Sequence, residues 1–462
     1  MSDAKQAAAQ QATGEWEEMK ESSTREAGRL SGLDTFLLWF GAAVVIDEMW
    51  SGAQVTPLGI GLGLIVILAA KFTGNLLLAL VARMGSEALV PTMVLSRASF
   101  GIRGSVFPAV CNILQLIGWT AYMLIVAAKA VGILFGAELT GAQQFWTILA
   151  LGLLTTAWAA GGSRYWKIAN NIAVFMLIAL TIVMTYGVFS KFTIDELLRV
   201  VPPAGPSPML TFDFVVAMAV SWVPLAADYG RFASSRRAAF AGTYWGYFTG
   251  SAWMYAIGLI AGMAYLKLHP GTAVEALEPN TVVLGALHGM KLISAGILLI
   301  ALSTITTTFL DVYSTAASSL NIWPKANASL LAVIGGLFGT ALAFFVKMDQ
   351  YTQFLLLIGV VFLPMFAVVA ADYFFVKKCR INSAALFDRG GEYWYAGGFN
   401  AAAIAAWIIG MAISLWAGAP WWLGAIFGIE TWQAWPIGAA IPSFAASGAI
   451  YLLLAKLVLK KS

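Results

Sequence analysis

Asp47 and Glu48 stand side by side inside an apolar run, WFGAAVVIDEMWSGAQVTPLG. A carboxylate in such surroundings must meet a cation, a set of hydrogen-bond donors or a ligand. Neighbouring side chains on a regular helix diverge by about 100°, so both acids cannot share one narrow polar seam. The sequence therefore predicts a break in the helix at this point, which would also free backbone carbonyls as cation ligands. The alternative is a shifted span in which the charges are neutralised or snorkel. Lys71, in LAAKFTGNLLL, is the basic residue set deepest in apolar sequence. It is expected either to pair with Asp47 or Glu48 or to snorkel.

Three further constellations carry polar chemistry. In NILQLIGWTAYM, Gln115 and Trp119 are four residues apart and share a helix face, with Gly118 beside them permitting close approach. An indole next to an amide suits a flat heteroaromatic ligand, although tryptophans also serve as interface anchors and this chain has 18. In FVVAMAVSWVPLAADYGRF, Pro224 removes an internal hydrogen bond and predicts a break near 221–224, beside Trp222. Asp228 and Arg231 follow at a spacing of three and are expected to pair with each other or with loop residues. In ALSTITTTFLDVYSTAASSLNI, Ser303, Thr306 and Thr307 fall on one helix face and Asp311 lies four beyond Thr307. Hydroxyls and freed carbonyls suit a hard cation such as Na⁺, while the competing reading has them bonding back to their own helix.

The elements that position these groups follow from composition. Of 462 residues, 60% are apolar and 11% charged. Ten charges sit in the first 32 residues, which leaves about 9% in the remainder, against about 25% in ordinary soluble domains. A soluble enzyme, a disordered chain and a nucleic-acid-binding domain are excluded, and a polytopic membrane protein is expected. The net charge of +4 is dispersed, and two cysteines and two histidines support neither a disulfide framework nor a metal cluster. The polar N-terminus, EWEEMKESSTREAGR, reads as a cytosolic tail and not a signal peptide.

Apolar stretches of membrane-spanning length lie at 35–55, 58–83, 105–134, 143–162, 166–190, 211–232, 240–266, 292–320, 328–347, 351–376, 394–418 and 433–457. Twelve all-α spans with the N-terminus inside put 20 of the 27 lysines and arginines on the cytoplasmic face and five outside. That bias orients both termini inwards, in a cell (inner) membrane. The expected organisation is a tail (1–34), a five-helix unit (35–190), a second five-helix unit of inverted topology (211–377), and two further helices with a short cytosolic end (394–462). Inverted five-helix repeats build transporters whose site lies at the midplane between interrupted helices. No metalloprotease, nucleophile-elbow, P-loop or dinucleotide signature is present. A receptor without transport activity is the rival of a different class, and the chain has no sizeable soluble domain to support it.

Four segments in order, LSRASFGIRGS (95–105), LQLIGW (114–119), SWVPLAADYGRF (221–232) and TTTFLDVYS (306–314), resemble the nucleobase:cation symporter-1 family, and most nearly its hydroxymethylpyrimidine-type members. The resemblance covers roughly 35–380 and implies a leucine-transporter-like fold of two inverted five-helix repeats plus two helices. It implies that Trp119 stacks on a flat substrate, that Trp222 packs from the other side, and that Ser221 offers backbone contacts. It implies a Na⁺ site formed by carbonyls of Gly41 and Val44 with Ser303, Thr306 and Thr307, and a substrate-binding carboxylate at Glu48. With Gln115 and Asp311 these are the expected site residues. An aminopyrimidine presents N–H donors beside a ring nitrogen, which makes a carboxylate a suitable partner. The implied activity is import of a small pyrimidine, hydroxymethylpyrimidine or cytosine, with Na⁺ or H⁺ and no other cofactor. Purines, hydantoin or allantoin are the alternative cargo. No nucleic-acid or obligate protein partner is expected.

Overall fold

The computed structural model describes residues 29–135, 139–160, 166–278, 282, 293–418 and 434–458, and side chains are described for most of these. Among them the regular structure is helical. The first span is two half-helices, α1 (Gly32–Ala43) and α2 (Ile46–Ala53). Then come α3 (Gly59–Ala88), α4 (Val106–Leu134), α5 (Gly141–Ala160) and α6 (Trp166–Phe189). The sixth span is again divided, into α7 (Pro208–Trp222) and α8 (Ala226–Gly230). They are followed by α9 (Arg236–Leu268), α10 (Ile293–Ile322), α11 (Ala328–Leu342), α12 (Tyr351–Ala371), α13 (Ala401–Gly418) and α14 (Ala440–Val458). Seven described helical stretches are long and apolar enough to cross a membrane, and Gly32–Ala43 and Ala328–Leu342 are shorter apolar helices.

Local chemistry sets the helix starts. Ser31 and Asp34 form a reciprocal capping box at the head of α1. Ser207 caps α7 with Pro208 in its first turn. Asn327 caps α11 by accepting from the Leu330 amide at 3.0 Å. Several read boundaries shift. The eleventh span begins at Ala401 and not 394, because 394–400 forms turns with left-handed glycines at Gly397 and Gly398. The ninth ends at Leu342 and not 347.

The half-helices α1 and α2 lie against α9, whose small residues let the backbones approach. A Cβ on Gly52 would come within 2.6 Å of the Tyr255 Cα, and one on Gly258 would overlap the Met49 carbonyl. Gly52→Val should therefore separate α2 from α9. The expected result is a loss of about 1–3 kcal/mol of stability, the range for overpacked cores, read as a lower unfolding temperature in detergent. α3 packs on α7, α8 and α9, α4 on α10, and α12 on α7 and α14. The two divided spans thus lie at the centre, with α4 and α10 alongside.

Candidate functional site

The first division falls at Val44–Val45 and not at the acidic pair. Val44 (φ −89°, ψ 71°) and Val45 (φ −133°, ψ 159°) are the two non-helical residues. Adjacent β-branched residues are poor helix formers and comfortable in extended backbone, which is the sequence signal that marks this break. The expected break at Asp47–Glu48 is thereby corrected. Both acids sit in the first turn of α2, a regular helix, where negative charge is favoured by the helix dipole. The 100° divergence between them is kept, and it sends them to different neighbours.

Glu48 faces α3 and α9. Its Oε2 accepts from the Lys71 ammonium at 3.0 Å and from the Ser251 hydroxyl at 2.6 Å, and its Oε1 accepts from the Tyr247 hydroxyl. Glu48 and Lys71 are both fully buried. Lys71 also lies 3.7 Å from the centroid of the Tyr255 ring. Of the two readings for Lys71, pairing is the one the structure adopts. Glu48, expected as a substrate ligand, already holds three protein donors.

Asp47 faces the other way, towards α10 and α12. Ser51, one turn along the same face, has its hydroxyl 3.4 Å from that of Tyr351, and Asp47 lies within electrostatic reach of Tyr351 and Asp311. Its Oδ1 is buried and accepts no hydrogen bond among the described residues.

The second division is the turn Val223–Leu225, built around Pro224 as expected. Trp222, at the end of α7, meets Trp39 edge-on at 6.2 Å and Tyr247 at 6.3 Å. Trp119 meets Tyr351 at 5.8 Å and Phe354 at 5.5 Å. The two indoles therefore belong to different sides of α2. Trp222 touches the Glu48 network through Tyr247, and Trp119 touches the Asp47 side through Tyr351. Each is 6% exposed. Gln115 joins α4 to the second break, its amide donating to the Ser221 carbonyl and to Asn112 Oδ1, both at 2.9 Å. The Ser221 hydroxyl bonds back to Met218, which leaves its backbone carbonyl as the group offered at the break. Gly118 admits the Phe354 ring, as its expected close-approach role requires.

On α10, Thr307 is buried, Thr306 is half-buried and Asp311 is buried. The Ser303 side chain lies outside the described residues. Gly41 is in the last turn of α1 and Val44 is its C-cap at the break. α10 packs against α2.

Other buried polar groups join distant segments. Asp228 accepts from the Thr92 amide at 2.8 Å, Thr92 in turn accepts from the Ala227 amide at 2.9 Å, and Arg231 donates to the Asp228 carbonyl and the Tyr313 hydroxyl. Asp372, directly after α12, accepts from Ser99, Tyr451 and Lys377. Sequence reasoning missed Asp213, which accepts from the Ala439 and Ala440 amides at 2.5 and 3.1 Å at the head of α14. It also missed Tyr351, Tyr247 and Tyr255, for which no local pattern gives a signal. A cavity of about 450 Å³, lined by residues including Asp213, Phe214, Gly359 and Ser414, lies between α7, α12, α13 and α14, and neither tryptophan is part of its lining.

The described residues thus bring together two broken helices, two buried tryptophans and buried hydroxyls on α10. Comparisons with known proteins give the family and the fold. Residues 24–438 match the family described as permeases for cytosine/purines, uracil, thiamine and allantoin. The purine-uracil permease NCS1 of Arabidopsis thaliana is 24% identical over 417 residues, spanning 82% of this chain and 68% of that one. The cytosine permease of Escherichia coli K12 is 25% identical over 354 residues, spanning 74% and 78%. Among solved structures, the nucleobase-cation-symport-1 transporter Mhp1, closed with bromovinylhydantoin bound, superposes with a TM-score of 0.73 at 18% identity over 94% of each chain. A Na⁺-coupled sialic acid symporter gives 0.63 at 14% identity over 96% of each. Those two likenesses show the fold, that of a multi-pass helical transporter. On the extent of its sequence match, the chain belongs to the family of permeases for cytosine and purines, uracil, thiamine and allantoin and is a membrane transport protein, not an enzyme.

Proposed function

We propose that this permease imports a small pyrimidine, hydroxymethylpyrimidine or cytosine, together with Na⁺ or H⁺, by alternating access. The observation that carries the reading is the Gln115 amide bound to the Ser221 carbonyl at the second break, with Trp119 buried one turn along α4 from Gln115 and Trp222 buried next to Ser221. A flat ring gains stacking against an indole face, while an amide and a carboxylate read its edge. In this reading Trp119, Trp222, Gln115, Ser221 and Asp311 meet the substrate, and Glu48 acts through its Lys71–Tyr247–Ser251 network. Gly41 and Val44 carbonyls with Ser303, Thr306 and Thr307 hold the cation.

The breaks at 44–45 and 223–225 fall at corresponding places in the two five-helix groups. That correspondence supports twelve spans arranged as two inverted repeats, 35–190 and 211–377, followed by 394–462, with the tail 1–34 and both termini cytoplasmic. Rocking of one group of helices against the other would then expose the site to each side in turn.

Uptake of labelled bases into proteoliposomes, with a Na⁺ gradient, a pH gradient or neither, tests the proposal. Accumulation of a pyrimidine under one of the two gradients is expected. Failure of every nucleobase and thiamine-precursor pyrimidine to be taken up or to compete would reject it. Thr307→Ala should raise the cation concentration for half-maximal uptake several-fold with little change at saturating cation. An equal loss at all cation concentrations would show that Thr307 is not a ligand.

A further inference from the structure

Helix α2 carries three observations that the family likeness does not account for. First, carboxyl groups outnumber basic groups around it. Glu48, Asp47 and Asp311 are three buried carboxylates, and Lys71 is the basic group among them. Lys71 forms its ion pair with Glu48. Among the described residues no lysine or arginine pairs with Asp47 or Asp311. Second, hydrogen-bonding capacity is left over beside α2. Asp47 Oδ1 and Gln115 Oε1 are buried without a partner among the described residues. Third, the walls are aromatic. Trp50, Trp119 and Tyr122 surround the Tyr351 ring at 4.3, 5.8 and 5.6 Å, and Ser51, one turn along α2 from Asp47, has its hydroxyl 3.4 Å from that of Tyr351.

Buried negative charge without a counter-ion is costly, and aromatic faces favour cations and flat rings. Oxo-substituted bases such as uracil and hydantoin present an N–H flanked by carbonyl oxygens, which would face a carboxylate with like charge. An amino-substituted heteroaromatic base presents an exocyclic N–H next to a ring nitrogen. When that nitrogen takes a proton from solution, the two N–H groups form a parallel donor pair that one carboxylate can accept, and the added positive charge supplies the counter-ion that an ionised Asp47 otherwise lacks.

We infer that Asp47, and not Glu48, reads the substrate edge, and that it selects protonated amino-substituted heteroaromatic bases over oxo-substituted ones. The groups that face Asp47 are Glu48 on its own helix, Lys71 on α3, Tyr247 and Tyr255 on α9, Asp311 on α10 and Tyr351 on α12. Lys71 opposes the incoming positive charge, and its pairing with Glu48 limits that opposition. The inference rests on the permease reading above.

The test is binding of cytosine, 4-amino-5-hydroxymethyl-2-methylpyrimidine, uracil and hydantoin to the purified full chain by titration calorimetry, in Na⁺ and in Na⁺-free buffer, from pH 5.5 to 8. The wild type should bind the amino bases more tightly and more so at low pH. Asp47→Asn should weaken the amino bases by roughly 10- to 100-fold, as for loss of hydrogen bonds to a charged group, leave the oxo bases within about twofold, and remove the pH dependence. Asp47→Glu should retain the preference for amino bases, and it serves as the test variant if Asp47→Asn does not fold. Amino-base affinity unchanged in Asp47→Asn would overturn the inference. So would an equal loss for all four bases, which marks a structural role, or a loss seen only when Na⁺ is present, which marks a cation ligand. If the wild type neither binds nor transports any base of the panel, it is the permease reading that fails.

Discussion

Lys71→Met should lower the stability of the folded protein by about 3–5 kcal/mol, the usual cost of breaking a buried ion pair by removing one partner. The ammonium is fully buried and bonded to Glu48 at 3.0 Å, so its removal strands a carboxylate in the protein interior with only the Tyr247 and Ser251 hydroxyls as donors. Glu48 and these two hydroxyls come from α2 and α9, so the damage should spread along the contact between α2 and α9. The measurement is equilibrium unfolding in detergent, with size-exclusion profiles to detect aggregation. Glu48→Gln alone should also destabilise, because it leaves the buried ammonium unpaired. The double variant Glu48→Gln/Lys71→Met should recover most of either loss, since no isolated charge remains. If the double loss equals the sum of the single losses, the two groups do not act as a pair.

Trp119→Ala should weaken base binding by roughly 5- to 150-fold, the range expected for one stacked base–aromatic contact. The side chain lies mid-helix on α4 and is packed edge-on against Tyr351 and Phe354, so it is held in place before any ligand arrives. Truncation also removes buried packing, and a loss of stability of about 3–5 kcal/mol is expected alongside. Trp119→Phe separates the two effects: it keeps an aromatic face and most of the packing, and should retain much of the affinity. Affinity in Trp119→Ala that matches the wild type would reject the stacking role. Trp222→Ala provides the comparison on the other side, where the ring contacts are Trp39 and Tyr247.

Particular residues show how far the sequence could be read. Pro224 announced its own break, because a missing amide and a ring clash act within one turn, and the helix does divide at Val223–Leu225. The first break was expected at the charges and lies at Val44–Val45 instead. Its cause is weaker and distributed: two β-branched residues with modest helix propensity, whose extended backbone is stabilised only once α9 packs alongside. Gln115 and Trp119 were legible from spacing. That Gln115 bonds to the Ser221 carbonyl, 106 residues away in sequence, was not. The partnership of Lys71 was legible as a pair of alternatives, since a deep ammonium needs an anion, but the choice of Glu48 depends on which face of α2 meets α3. Asp228 and Asp372 carry carboxylates at span ends, and their partners come from segments distant in the chain, Thr92 for one and Ser99 and Tyr451 for the other.

The sequence by itself determined the class of this protein. Apolar content, span length and the distribution of lysine and arginine are local or additive properties, and so were the polar residues that lipid would not tolerate on its own side. Tertiary structure decided what those residues do. Asp47 and Glu48 are chemically near-identical neighbours, and the sequence offers no ground for separating their roles. A regular turn of α2 points one at Lys71, Tyr247 and Ser251 and the other towards Tyr351 and Asp311. The physical reason is directional: a helix fixes the angle between successive side chains, but only the packing of α2 against its neighbours fixes what each angle meets.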